Sequence, residues 1–207
     1  MKLTVKSGRD DKIHIFIDSE YKLTVDAEYW YLSEFHLLKD IDEETFERME
    51  SEIEKRRAFK KAASLSSARL HSRYEIYQKL LRSFSKEASE YAAEKCEEIG
   101  LISDRDFAEA YASELQSRKG MGVSRIRLEL RRKGVDPEIV QVVTDSLEGD
   151  EKQQIKDLIE RKYARRLADE KGKKSAFNAL VRLGYSYGDV KSAMEEYIEE
   201  YLEENEI

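Results

Sequence analysis

The sequence has one proline, one cysteine and nine glycines in 207 residues, and each scarcity excludes something. Proline and glycine interrupt helices, so their rarity points to long helical segments joined by short connections. The lone thiol, Cys96, has no internal partner, which removes a disulfide framework and makes a reducing cytoplasm the expected setting. No run of about 18 apolar residues exists, so no transmembrane helix and no membrane partner are expected. Residues Met1–Val5 lack the apolar core of a secretory signal. His14, His36 and His71 are scattered without metal-ligand spacing, and no carboxylate pair sits in an apolar surround that tunes one as an acid. Neither a metal, nor a cofactor, nor an enzymatic step is expected. A hydrolase on a helical scaffold is the weakest reading, because no reactive constellation is visible.

Charge is plentiful and unevenly placed. The formal net is −7, which at first speaks against a nucleic-acid partner, but the distribution matters more. Residues 1–50 carry 7 basic and 13 acidic groups, whereas residues 51–100 carry 11 and 8. Arg118 to Lys133 holds seven basic residues against Glu129 alone, and Arg161 to Lys174 holds seven against Asp169 and Glu170. Glu195 to Glu206 holds seven carboxylates and no base. Such segregation builds a basic surface inside an acidic protein.

Residues 2–25 read as a three-stranded meander: Leu3–Val5, Ile13–Ile17 and Tyr21–Val25, with turns at Ser7–Asp10 and Asp18–Glu20. Asp26 is placed to cap a helix running to about Leu37, and Asp42 to cap another through Glu50–Lys61. A meander this small is not stable alone, so it must pack on these helices.

From about residue 57 the chain repeats with a period near 50. Three apolar anchors recur, as Ile76, Ile126 and Ala176, as Leu80, Leu130 and Leu180, and as Phe84, Val135 and Tyr185. A capping residue follows each set, Ser85, Asp136 or Ser186, and then a further helix with matched positions Ala88, Ile139 and Val190, and Ala92, Val143 and Met194. Gly134 and Gly184 precede the third anchor and are suited to end a helix in the left-handed conformation; Ser83 stands there in the first copy. Pro137 after Asp136 fits the first helical position. Each copy also has a leading helix, with Phe107, Tyr111 and Leu115 on one face in the second and Ile155, Leu158, Ile159, Tyr163 and Leu167 in the third. Ser72–Glu75 and Ser103–Asp106 have capping-box spacing.

The expected fold is mainly α: three tandem three-helix repeats in an elongated, curved array, preceded by the β-meander and a helix. The expected boundaries are 1–50 for the meander and helix, then 51–103, 104–149 and 150–207 for the repeats.

These landmarks resemble the RecX family, regulators of the RecA recombinase. Gly100 to Ala108 is similar to the stretch joining that family's first two units. Arg118-Lys119-Gly120, Arg125-Ile126, Glu129-Leu130 and Lys133-Gly134-Val135 follow its second-unit pattern. Arg69, Ser72, Glu75 and Ile76 in the first unit, Gly184-Tyr185-Ser186 in the third and the amino-terminal meander extend the likeness over most of the chain. The resemblance implies a monomeric cytoplasmic protein that binds the RecA–DNA filament and restrains its growth, ATPase and strand exchange. Binding alone is then the mechanism, through unequal affinity for active and inactive filament.

The run Arg118, Lys119, Arg125, Arg127, Arg131, Arg132 and Lys133 is the first candidate contact surface, singled out by its shortage of compensating acids. Arg161, Lys162, Arg165, Arg166, Lys173 and Lys174 form a second, with Arg69 and Arg73 completing the set. The plainer alternative for every one is a solvated helix face, and that alternative is preferred for Lys55-Arg56-Arg57 and Lys60-Lys61. Gly120-Met121-Gly122 beside Lys119 lacks the pattern of a phosphate loop and reads as a connector. Cys96 reads as a buried structural thiol. Tyrosines such as Tyr111 and Tyr163 read as packing residues more than base-stacking platforms, and one of Tyr29, Trp30 and Tyr31 must face outward. The acidic end continues a helix with Tyr197, Ile198, Tyr201 and Leu202 inward, and competition with DNA for the basic helices is its alternative role. A different class of function also stays open: a sequence-independent binder of single- or double-stranded DNA that competes for DNA without touching RecA.

Overall fold

The computed structural model describes residues 1–147, 149 and 151–205. Two compact units divide the chain, one of residues 1–65 with 77–98, the other of 66–76 with the chain from Ile99 onward. In the first unit β1 (Leu3–Ser7), β2 (Lys12–Ile17) and β3 (Glu20–Asp26) form an antiparallel sheet in that order. Alternation on β2 turns Ile13, Ile15 and Ile17 to one face, where Ile15 lies opposite Leu23 and Ile13 opposite Val25. Asp18 and Ser19 turn the second hairpin with φ of 47° and 73°, the left-handed pair whose twist matches the strands. The sheet is covered by Trp30 of α1 (Ala27–Leu32), by Phe35 of a 3-10 turn (Glu34–Leu37), and by Met49 and Ile53 of α2 (Glu43–Ala68).

The helix expected from Asp26 to Leu37 is broken. It stops at Leu32, and Ser33 is extended with φ −80° and ψ 155°. On one straight helix Trp30 and Phe35 lie about 140° apart; the break at Ser33, whose hydroxyl donates to the Trp30 carbonyl at 2.7 Å, lets both enter one core. Asp26 is no cap either. Its carboxylate accepts from the ammonium groups of Lys12 and Lys60, which hold its pKa down to about 2. Because that lies below the ordinary value of 3.8, the stabilisation is complete above pH 3.8 and is lost as pH falls toward 2. Urea midpoints compared at pH 3 and pH 7 therefore fall less for Asp26→Asn than for the parent chain.

Eight further helices follow: α3 (Arg73–Leu80), α4 (Lys86–Glu98), α5 (Asp104–Lys119), α6 (Val123–Arg132), α7 (Pro137–Asp145), α8 (Glu151–Leu158), α9 (Glu170–Arg182) and α10 (Tyr187–Asn205). In sequence order they complete three triplets beginning with α2, α5 and α8. The caps read from the sequence are in place: Ser72 Oγ accepts from Glu75 N–H, Ser103 from Asp106, Asp136 from Glu138 and Ser186 from Asp189. Asp42 caps α2 through Thr45. The helix-two anchors Ile76, Leu80, Ile126, Leu130, Ala176 and Leu180 are all buried, as is Cys96.

In the second unit α5–α7 close round Phe107, Leu115, Ile126, Leu130, Val135 and Val143, and α8–α10 round Ile155, Ile159, Leu180, Tyr185, Val190 and Met194. Three details depart from the sequence reading. Helix α7 buries Val140 and leaves Ile139 half-exposed, because the repeat equivalent of Val190 lies four residues after the cap, not three. The leading helix of the third triplet is not continuous: after α8 residues Ile159–Tyr163 wind as a π turn and Ala164–Arg166 as a 3-10 turn. Apolar residues four apart drift about 40° per step on an α-helix, and a wider turn takes back that rotation. Tyr163 and Leu167 thereby stay packed against the cluster. Lastly, Tyr201 is 56% exposed instead of facing inward, since it lies one turn past Tyr197, where the cluster ends. Leu202 and the carboxylates from Glu203 to Glu206 lie outside the described side chains.

Candidate partner-binding surface

Helix α6 owes its position to two joints of one design. At the first, the Ser72 hydroxyl donates to the Lys133 carbonyl at 2.6 Å, and Gly134 lies so close to Tyr74 that a Cβ on it would sit 2.3 Å from the Tyr74 Cβ. At the second, fifty residues on, Gly122 N–H donates to the Leu183 carbonyl at 2.9 Å, and a Cβ on Gly184 would sit 2.5 Å from that of Arg125. The start of one middle helix thus rests on the end of the next. The turn Gly120-Met121-Gly122 serves this joint, as the connector that its sequence suggests. Asp104 adds to the first joint by accepting from Arg73 N–H at 2.7 Å, and burial raises its carboxyl pKa despite that bond. Glu75 feels burial as well, but the Lys133 ammonium, 2.6 Å away, together with Arg69 and His71 outweighs it and brings the carboxyl below its ordinary value. Ser72→Ala removes both a cap and the inter-repeat bond at a fully buried hydroxyl. It lowers stability by about 2 kcal/mol, read from urea denaturation.

The expectation that Arg118–Lys133 lacks compensating acids does not hold in three dimensions. Glu129 takes Arg125 at 2.8 Å and Arg132 at 3.1 Å, Glu75 takes Lys133, and Arg118 lies 3.9 Å from Glu114. Arg127 turns inward, donating to Thr144 Oγ1 at 3.1 Å with Asp145 at 3.9 Å. Glu129 lies within the run and serves two arginines at once, whereas Glu114, Glu75 and Asp145 stand one turn upstream or on other helices, where a linear charge count does not find them. Arg131 and Lys119 are exposed and have no ion-pair partner among the described residues. At 100° per residue, Arg131, Leu128, Arg132 and Arg125 share one outward arc of about 120° on α6. Leu128, 41% exposed, is the member that charge counting passes over. It borders a shallow groove toward α9, completed by Met121, Ser124, Val181 and Arg182.

The second basic run is dispersed by the irregular turns after α8. Arg161 and Lys162 lie on the π turn, Arg165 and Arg166 on the 3-10 turn, and Lys173 and Lys174 on α9. Arg161 Nε donates to the Asp157 carbonyl, Arg166 stands over the Tyr163 ring and Lys173 pairs with Glu170. Arg69 is exposed beyond the end of α2, and Arg73 is half-buried at the first turn of α3. On the acidic helix α10, Glu196 accepts from Lys152 and Ser192 and lies 3.2 Å from Lys156, which draws its pKa down to about 2. Glu200 also holds Lys156, at 2.6 Å. Two of the described carboxylates of that end, Glu196 and Glu200, are therefore engaged with α8, while Glu195 faces Lys191 of its own helix at 3.9 Å.

A regulatory protein RecX of Caldanaerobacter subterraneus subsp. tengcongensis is 31% identical over 165 residues, which cover 76% of this chain and 81% of the relative. The chain belongs to the RecX family. The profile of the RecX second three-helix domain matches residues 103–143, the span of α5 to α7. A regulatory protein RecX of Bacillus licheniformis is 25% identical over 94% of this chain and 76% of its own length. A RecX crystal structure superposes with a TM-score of 0.70 at 18% identity, covering 94% of this chain and 98% of that one, and shows the shared fold. The relatives of this RecX chain are thus named as regulatory proteins. Among its described residues no helix is long and apolar enough to cross a membrane, and no group of three or more His, Cys, Asp or Glu side chains is placed to hold a metal ion.

Proposed function

We propose that this chain regulates the RecA recombinase by binding its filament on DNA, restraining growth, ATPase and strand exchange without a catalytic step of its own, as a cytoplasmic monomer. The observation that carries the reading is the outward arc of α6, in which Leu128 is flanked by Arg125, Arg131 and Arg132. Arginine around an apolar centre is the composition of a protein-recognition surface, because guanidinium groups pair with carboxylates in fixed geometry while the apolar residue excludes water. The contact set is led by Arg118, Lys119, Arg131 and Arg132, which are exposed, with Arg125 at its edge. Membership in a family of regulatory proteins supplies the regulatory role.

The test adds increasing amounts of the chain to RecA, ATP and single-stranded DNA. A fall in RecA ATPase and strand exchange is expected. Unchanged rates at an excess of the chain refute the proposal. Competition for DNA alone, the other class of mechanism, predicts instead that excess DNA restores both rates and that the chain does not sediment with preformed filaments at high salt.

A further inference from the structure

We propose that the groove between β3 and α2, within the first compact unit, binds the backbone of a single-stranded nucleic acid. This site is separate from the α6 surface and does not depend on the RecA reading. Six cations line the groove, Lys12, Lys22, Arg56, Arg57, Lys60 and Lys61, and Asp26 is its one carboxylate. Asp26 is already shared by Lys12 and Lys60, so it has little charge left to offer the remaining four. Lys22 meets Glu20 at 3.1 Å beyond the groove, and Arg56 reaches Glu28 only at 3.9 Å. Arg56 Nε is buried and has no acceptor among the described residues. Arg57 and Lys61 are exposed and form no ion pair among the described residues.

Such an excess of uncompensated positive charge in one concavity calls for a polyanion. The arrangement favours phosphates over an acidic protein surface. Of the apolar residues of the lining, Leu23, Val25 and Ile53 are buried and Phe84 alone is half-exposed, a small anchor beside six cations, of which four are lysines, a residue depleted at protein interfaces. Arg57 and Lys61 stand one turn apart on α2, about 6 Å along the axis. That step is comparable to the separation of successive phosphates in an extended strand. A single strand is favoured over a duplex because Tyr21, 57% exposed, stands on the groove wall with its ring accessible to an unpaired base. Along the linear chain, Lys55–Lys61 is a plain helix face. What changes that reading is β3, which brings Lys22 and Tyr21 up against the face from the opposite side.

The test is fluorescence anisotropy of fluorescein-labelled oligo-dT with the full chain, without RecA, over a salt series. Arg57→Glu with Lys61→Glu reverses two exposed groups that carry no ion pair among the described residues, so the thermal midpoint stays unchanged. Affinity is expected to fall at least tenfold, and the slope of log affinity against log salt to shrink by about 1.4, at roughly 0.7 for each phosphate no longer neutralised. Tyr21→Leu weakens oligo-dT binding severalfold and leaves the salt slope intact. Affinity and slope unchanged in the charge-reversed chain overturn the proposal. Tighter binding of polyglutamate than of oligo-dT, abolished by the same reversal, also overturns it and makes the groove a protein-docking site.

Discussion

Gly184→Ala lowers the free energy of unfolding by about 3 kcal/mol, read as a drop in urea midpoint with an unchanged slope. Two costs add. The residue has φ of +99°, outside the range of side-chain-bearing residues, which costs roughly 1–2 kcal/mol. Its new methyl would stand 2.5 Å from Arg125 Cβ and 2.7 Å from the Arg125 backbone nitrogen, an overlap of the kind that costs about 1–3 kcal/mol. No rotamer change relieves a clash with main chain, so α6 must shift away from α9. Gly100→Ala is the control. It also has positive φ, 73°, but nothing lies within 4 Å of the added carbon, so only the conformational cost of roughly 1 kcal/mol applies. Equal losses in the two variants show that the joint carries no steric constraint.

Lys119→Glu combined with Arg131→Glu raises the concentration of chain needed for half-maximal suppression of RecA ATPase by about 30-fold or more. That factor corresponds to about 2 kcal/mol, the scale of one arginine anchor at a protein interface. Neither residue has an ion-pair partner to strand among the described residues, so stability moves by less than about 0.5 kcal/mol. Arg127→Ala makes the informative contrast. Its guanidinium is bound to Thr144 inside the chain, so it lowers the melting temperature and leaves the half-maximal concentration, corrected for the folded fraction, where it was. Suppression that survives the double reversal removes α6 from the contact surface.

The repeat architecture was legible because its signals are local: a cap, a glycine and apolar residues at helical spacing each act within one or two turns. Ser103, Asp136 and Gly134 behave as their chemistry dictates without reference to the rest of the molecule. Several of the failures involve distance along the chain. Asp26 has cap chemistry, but Lys12 and Lys60, remote in sequence, outcompete the backbone for it. A helix past Leu32 is locally sound, yet it forbids Trp30 and Phe35 a common core. The α6 run looked uncompensated because Glu75 and Asp145 approach from other helices. Leu128 was hidden by its neighbours, since a leucine among arginines reads as one more core position until its exposure is seen.

The joint between Gly122 and Leu183 is made from main chain to main chain, and its one demand on side chains is that two of them be missing. Such a seam is indifferent to what α6 and α9 display outward. Natural variation is therefore free to rewrite the charges and apolar spots beside it, retuning partner choice, while the hinge-free coupling of one module to the next is inherited intact.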